Sequence, residues 1–155
     1  MKAEEQGPVV KTEMLIRRPV HEVYEAFVDP TVTTKFWFTR SSGRLEEGTS
    51  ILWEWEMYGV QDTVFVHTLE PNERILVHCS DGTTVEWRFV PRSEQETFVT
   101  ITNTGFPGSQ EEAGQQALDA MGGYTMVLCG LKALLEHNVL LNLVADKAPD
   151  AHVNR

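Results

Sequence analysis

The sequence predicts an α+β fold: a curved antiparallel sheet, accompanied by two short helices, wrapped around one long C-terminal helix. Three observations carry this reading. Between Arg44 and Asn103 apolar residues recur with period two and are cut by turn signals. After Asn103 the period changes once, to that of a helix. Ahead of the strand-like region, two short helical patterns follow a first strand.

That first strand is Val9 to Arg18, VVKTEMLIRR, rich in Val, Ile and Thr and stopped by Pro19. In the next stretch Val20, Val23, Tyr24 and Phe27 fall at i, i+3, i+4 and i+7, the spacing of one helix face. Asp29-Pro30 breaks that helix, and TVTTKFWF reads as a second one ending in Phe36, Trp37 and Phe38. Ile51, Trp53, Trp55 and Met57 then share one strand face, opposite Leu52, Glu54 and Glu56. Four further runs, DTVFVHTL, RILVHC, TTVEWRFV and TFVTITNT, complete an antiparallel meander. Asp81-Gly82 is the strongest hairpin signal, because a tight primed turn needs positive φ. The long helix is expected from about Ser109 to about Leu143, with Ser109 as its cap and Met121, Tyr124, Leu128, Leu131 and Leu135 as its apolar stripe. The 155 residues read as one domain, with fraying expected at 1–8 and 146–155.

Bulk properties exclude several classes of function. A formal net charge of -10 opposes binding to phosphate backbones and anionic headgroups, so neither nucleic acid nor membrane insertion is expected. The charged start MKAEEQGPVV lacks the apolar core of a secretory signal, and cytoplasmic residence is the expectation. Two cysteines, Cys79 and Cys129, supply neither a disulfide framework nor a cysteine-rich metal site. His21-Glu22-Val23-Tyr24-Glu25 begins like a zinc-binding HExxH helix, but Glu25 stands where the second histidine would be. No phosphate loop, dinucleotide fingerprint or nucleophile elbow occurs, so no metal, nucleotide or other cofactor is expected and no catalytic residue is assignable.

The order of elements, with VYEAFVDPTVTTKFWF, LEPNERI, TGF and GGYTMVLCGLKALLE at their spacing, resembles the START-like helix-grip (SRPBCC) superfamily. Within it the chain is similar to the branch named for the activator of the heat-shock-protein-90 ATPase. Tyr124 departs from that branch, where Trp commonly follows the glycine. The resemblance implies an apolar cavity between sheet and helix, since side chains from the two partners do not easily fill a curved sheet.

Its expected walls are Trp37, Trp53, Trp55, Phe65, Trp87 and Phe89, with His67 and Asn103 as polar groups and Met121, Tyr124 and Leu128 from the helix. Gly122-Gly123 is poor helix chemistry, read either as tight backbone packing or as room for a ligand. Binding of a lipid-like, aromatic or polyketide-like molecule is the first functional expectation. A cyclase, aromatase or hydrolase using His67, His78, Asn103 or Tyr124 is the second. A chaperone ATPase co-factor is the third, although eukaryotic activators carry a further N-terminal domain. A homodimer is compatible with all three.

Overall fold

Residues 7–153 are described in a computed structural model. Of the termini expected to fray, 1–8 and 146–155, residues 1–6 and 154–155 lie outside the described residues. The chain runs β1 (Val10–Ile16), α1 (Val20–Val28), α2 (Pro30–Thr33), β2 (Arg40–Ser41), β3 (Ser50–Trp55), β4 (Val60–Glu70), β5 (Arg74–Cys79), β6 (Thr84–Ser93), β7 (Glu96–Thr104), α3 (Gln110–His137) and α4 (Leu143–Lys147). The strands form one sheet in the order β1-β7-β6-β5-β4-β3-β2, antiparallel throughout. Consecutive strands β2 to β7 therefore pair as a meander, and β1 closes the far edge against β7. Register shifts between Val66 and Thr68 and between Pro91 and Ser93 insert bulges into the longest strands, where bulges bend a sheet.

One face of this sheet is dry. Val64, Val66, Ile75, Val77, Val85, Val99 and Ile101 are all fully buried there. Leu128 and Leu131 of α3 pack against them, and burial of each such leucine contributes about 1.5–3 kcal/mol. At the other end of the core, Phe27 of α1 meets Phe36, Trp87 and Phe89 at ring-centroid distances of 5.5, 5.7 and 6.1 Å.

Three polar ties fix α3 along the edge strand β1. Thr12 and Thr125 hydroxyls meet at 3.0 Å, Lys132 donates to the Leu15 carbonyl at 2.8 Å, and Glu136 accepts from the Arg17 amide at 2.7 Å. By length and composition α3 is apolar enough to cross a membrane, yet here it is the helix gripped by the sheet.

Three boundaries differ from expectation. Ser109 caps α3 through a reciprocal capping box with Glu112, but the helix stops at His137 rather than near Leu143. Asn138 adopts a left-handed conformation (φ 54°) and its amide closes the last turn. Asparagine tolerates that geometry, which an apolar period continuing through Val139-Leu140-Leu141 does not reveal. The second short helix ends at Thr33; the Thr33 and Thr34 hydroxyls bond backbone carbonyls, and the aromatics follow in turns. Where fraying is expected from 146, α4 and a 3-10 turn at Pro149–Ala151 fold back onto the β3–β4 connection. The Tyr58 hydroxyl bonds the Val144 carbonyl, the His152 ring lies 5.4 Å from that of Tyr58, and the Val153 amide donates to Met57 at 2.9 Å.

Candidate functional site

A cavity of about 490 Å³ opens between α3, the β3 end of the sheet and α4. The period of two on β3 turns Trp53 and Trp55 toward it, and the turn after α2 brings Trp37 between them and the helix. Trp37 is the hub, with its ring 4.9 Å from Trp53, 6.2 Å from Trp55 and 5.8 Å from Tyr124. Phe38 stacks behind Trp53 at 4.8 Å and 16°. From α3 come Ala120, Gly123, Tyr124 and Val127, and α4 adds Val144 and Lys147 as a third wall.

A Cβ built on Gly122 or Gly123 meets nothing within 4 Å, so tight packing accounts for neither, and of the two only Gly123 lines the cavity. Gly130, about two turns further on, is the α3 glycine of close approach, because a Cβ there would lie 3.3 Å from Phe36. Tyr124 stands at the cavity's inner bend, and among the described residues its hydroxyl has no hydrogen-bond partner. Burial, and then the neighbouring Cys79, Asp62 and Asp81, push its phenol far above the ordinary value. Burial likewise pushes the Cys79 thiol up to about 12, against a hydrogen bond from Thr83 that lowers it. Both groups are therefore protonated at neutral pH.

A second chamber of about 290 Å³ shares Asp62, Cys79, Ala120 and Tyr124 with the first and reaches Asn103 and Thr83.

The expected wall residues divide. Trp37, Trp53, Trp55 and Tyr124 meet at the larger chamber, and Asn103 lines the smaller one. Trp87 is buried behind the wall, 6.1 Å from the Trp37 ring and 6.5 Å from Tyr124. Phe89 belongs to the far core, 5.5 Å from Tyr24. Leu128 is fully buried against the sheet and does not reach either chamber, whereas Met121 is 43% exposed. The buried face of α3 keeps Leu128 and Leu131 of the expected stripe and otherwise runs through Ala113, Ala117, Val127 and Leu134, because small residues carry the contact in its first half. Phe65 and His67 lie on the outer face, since Val64 and Val66 take the inner one. There the His67 ring meets that of His78 edge-to-face at 5.3 Å, away from either chamber. Asp62 and Cys79 are wall residues the sequence reading missed, and their signal is strand parity: Asp62 is in phase with Val64 and Val66, and Cys79 with Ile75 and Val77. Among the described residues no group of three or more His, Cys, Asp or Glu side chains is placed to hold a metal ion.

A single antiparallel sheet gripping a long C-terminal helix beside an aromatic cavity defines the helix-grip class. The chain belongs to the family of the activator of Hsp90 ATPase homolog 1-like protein, whose model matches residues 17–136. Among solved structures, protein SSP2350 from Staphylococcus saprophyticus is 31% identical, with a TM-score of 0.75 over 86% of this chain and 96% of that one. The Aha1 dimer from Colwellia psychrerythraea is 19% identical, with a TM-score of 0.72 over 84% of this chain and 97% of that one. DynU16, a protein of the dynemicin biosynthetic locus, is 20% identical with a TM-score of 0.75; the match covers 85% of this chain and 48% of that one. No match was found among curated proteins.

Proposed function

We propose that the protein binds an apolar, flat small molecule in the cavity between the sheet and α3. The observation that carries this reading is the cavity itself, about 490 Å³ walled by three tryptophans and a tyrosine, with a glycine at position 123 of its α3 wall. Aromatic walls of this kind hold a ligand by area, at about 25 cal/mol per Å² of apolar surface removed from water. Burial holds the Cys79 thiol and the Tyr124 phenol protonated at neutral pH, so neither offers a base for proton-transfer catalysis. The likeness to a protein of a natural-product biosynthetic locus supports an aromatic or polyketide-like ligand. Two unpaired thiols, Cys79 and Cys129, suit a reducing compartment, and cytoplasmic residence belongs to the same proposal.

Calorimetric titration with 1-naphthylmethanol, a neutral bicyclic probe, tests the reading. At about 0.3 kcal/mol per non-hydrogen atom, saturable binding with Kd of about 2 mM or tighter is expected. Absence of saturable binding overturns it.

The family's name favours a second reading, a co-factor of a chaperone ATPase, and the dimeric relative makes a homodimer its natural form. Stimulation of a chaperone's ATPase by the purified protein, undiminished when the cavity is filled by mutation, would select this reading.

A further inference from the structure

We propose that the ligand carries a cationic or strongly hydrogen-bond-donating head, seated in the smaller chamber, on a flat apolar body seated among the tryptophans. This rests on the cavity being a binding site and specifies its ligand class. The two chambers share Asp62, Cys79, Ala120 and Tyr124 in their walls, which places head and body of one elongated molecule within reach of both. Their chemistry differs sharply. The larger is aromatic. The smaller is lined by Asp62, Asp81 and Asp119, and none of its lining residues is basic. The cationic Lys147 belongs to the larger chamber alone.

The polar chamber also offers acceptors deep inside. Asn103 is 3% exposed and commits its amide nitrogen to the Thr84 carbonyl at 2.9 Å. Its amide oxygen, in a side chain that lines the chamber, has no partner among the described residues. That oxygen is open to the chamber, where it is free to accept from a donor on the ligand. Asp62 and Asp81 already bond Ser80 and Thr83, but a carboxylate has acceptor sites to spare. A fatty-acid or phosphate head would meet like charges here. An ammonium meets carboxylates, and the faces of Tyr124 and Trp37 add cation–π attraction on the way in.

The test compares three probes of near-equal size at pH 7: 1-naphthylmethylamine, which is protonated, 1-naphthylmethanol and 1-naphthoate. Calorimetry is expected to rank them amine, alcohol, carboxylate, with at least a tenfold span between the first and last. Raising the salt concentration narrows the gap, as screening requires. In Asp119→Asn, whose melting temperature is checked first, the ratio of amine to alcohol affinity falls at least threefold. Failure of all three probes to bind overturns the binding reading and this inference with it. Binding of all three with equal affinity, or with the carboxylate tightest, overturns the charge assignment alone. An amine preference that Asp119→Asn and salt leave unchanged also overturns it.

Discussion

Replacing Gly123 by leucine should stabilise the fold and disable the site together. In a helix interior, glycine costs about 1 kcal/mol relative to a good helix former, from the backbone entropy it loses. Nothing stands within 4 Å of a Cβ at this position, so no overpacking opposes the gain. The leucine side chain then enters a cavity walled by Trp37, Trp53 and Trp55 and covers apolar surface that water now touches. About 1 kcal/mol in a chain of this size raises Tm by roughly 2–4 °C. The same side chain occupies ligand volume, so 1-naphthylmethanol affinity should fall at least tenfold, about 1.4 kcal/mol. Gly122→Ala is the control, because its Cβ also meets nothing but Gly122 does not line the cavity; it should gain stability and keep affinity. Gly130→Ala should gain nothing or lose stability, since its Cβ would press on Phe36 at 3.3 Å. Thermal denaturation and calorimetry read both quantities. A Gly123→Leu protein that melts lower than the parent, or that binds the probe equally well, would refute the account of Gly123 as room for a ligand.

Further expectations follow from single groups. Tyr124→Phe removes a hydroxyl without a protein partner among the described residues, so the apo protein should melt within about 0.5 kcal/mol of the parent while binding of a ligand that reaches the hydroxyl weakens; a large fall in Tm would show a structural hydrogen bond there. Alkylation at pH 8 followed by mass spectrometry should modify the exposed Cys129 quickly, whereas Cys79, pushed up to about 12, carries roughly a thousandfold less thiolate than an ordinary cysteine; equal rates would contradict its burial. Glu25 is held below the usual carboxylate range by its two hydrogen bonds from Arg44, at 2.8 and 2.9 Å. A lowered folded pKa contributes stability above the unfolded value of about 4.3 and loses it as pH falls through the folded one. Glu25→Gln should therefore cost up to about 1 kcal/mol at pH 7, little because Arg44 is half exposed, and nothing in strong acid; urea melts across pH, giving a constant cost, would contradict the pairing.

Much of this architecture is legible from side-chain period. Alternation alone places Trp53 and Trp55 on the inner face, and Ser109 with Glu112 announces the start of α3. The errors arise where several apolar residues compete for one face. In VFVHTL both Val and Phe suit a core, and β4 buries the valines, leaving Phe65 and His67 outside. The same choice brings Asp62 inward, so one phase decision removes two expected wall residues and supplies an unexpected one. On α3 the period is right but its centre is displaced, because alanines at 113 and 117 let the helix approach closely while Met121 stays at the rim. The α4 wall is the least legible part. It depends on left-handed Asn138 and Asn142 turning the chain back and on the Tyr58 hydroxyl catching Val144, a contact between residues 86 positions apart that no local pattern encodes.

The central claim is that the space among Trp37, Trp53, Trp55 and Tyr124 holds a small molecule. Native mass spectrometry of the protein purified without detergent, compared with its denatured mass, tests this most directly. The account predicts an adduct of a few hundred daltons that is released on denaturation and absent from Gly123→Leu prepared in parallel. An adduct retained equally by the filled variant would place the ligand elsewhere. A protein that carries nothing and takes up none of the three naphthyl probes would contradict the claim.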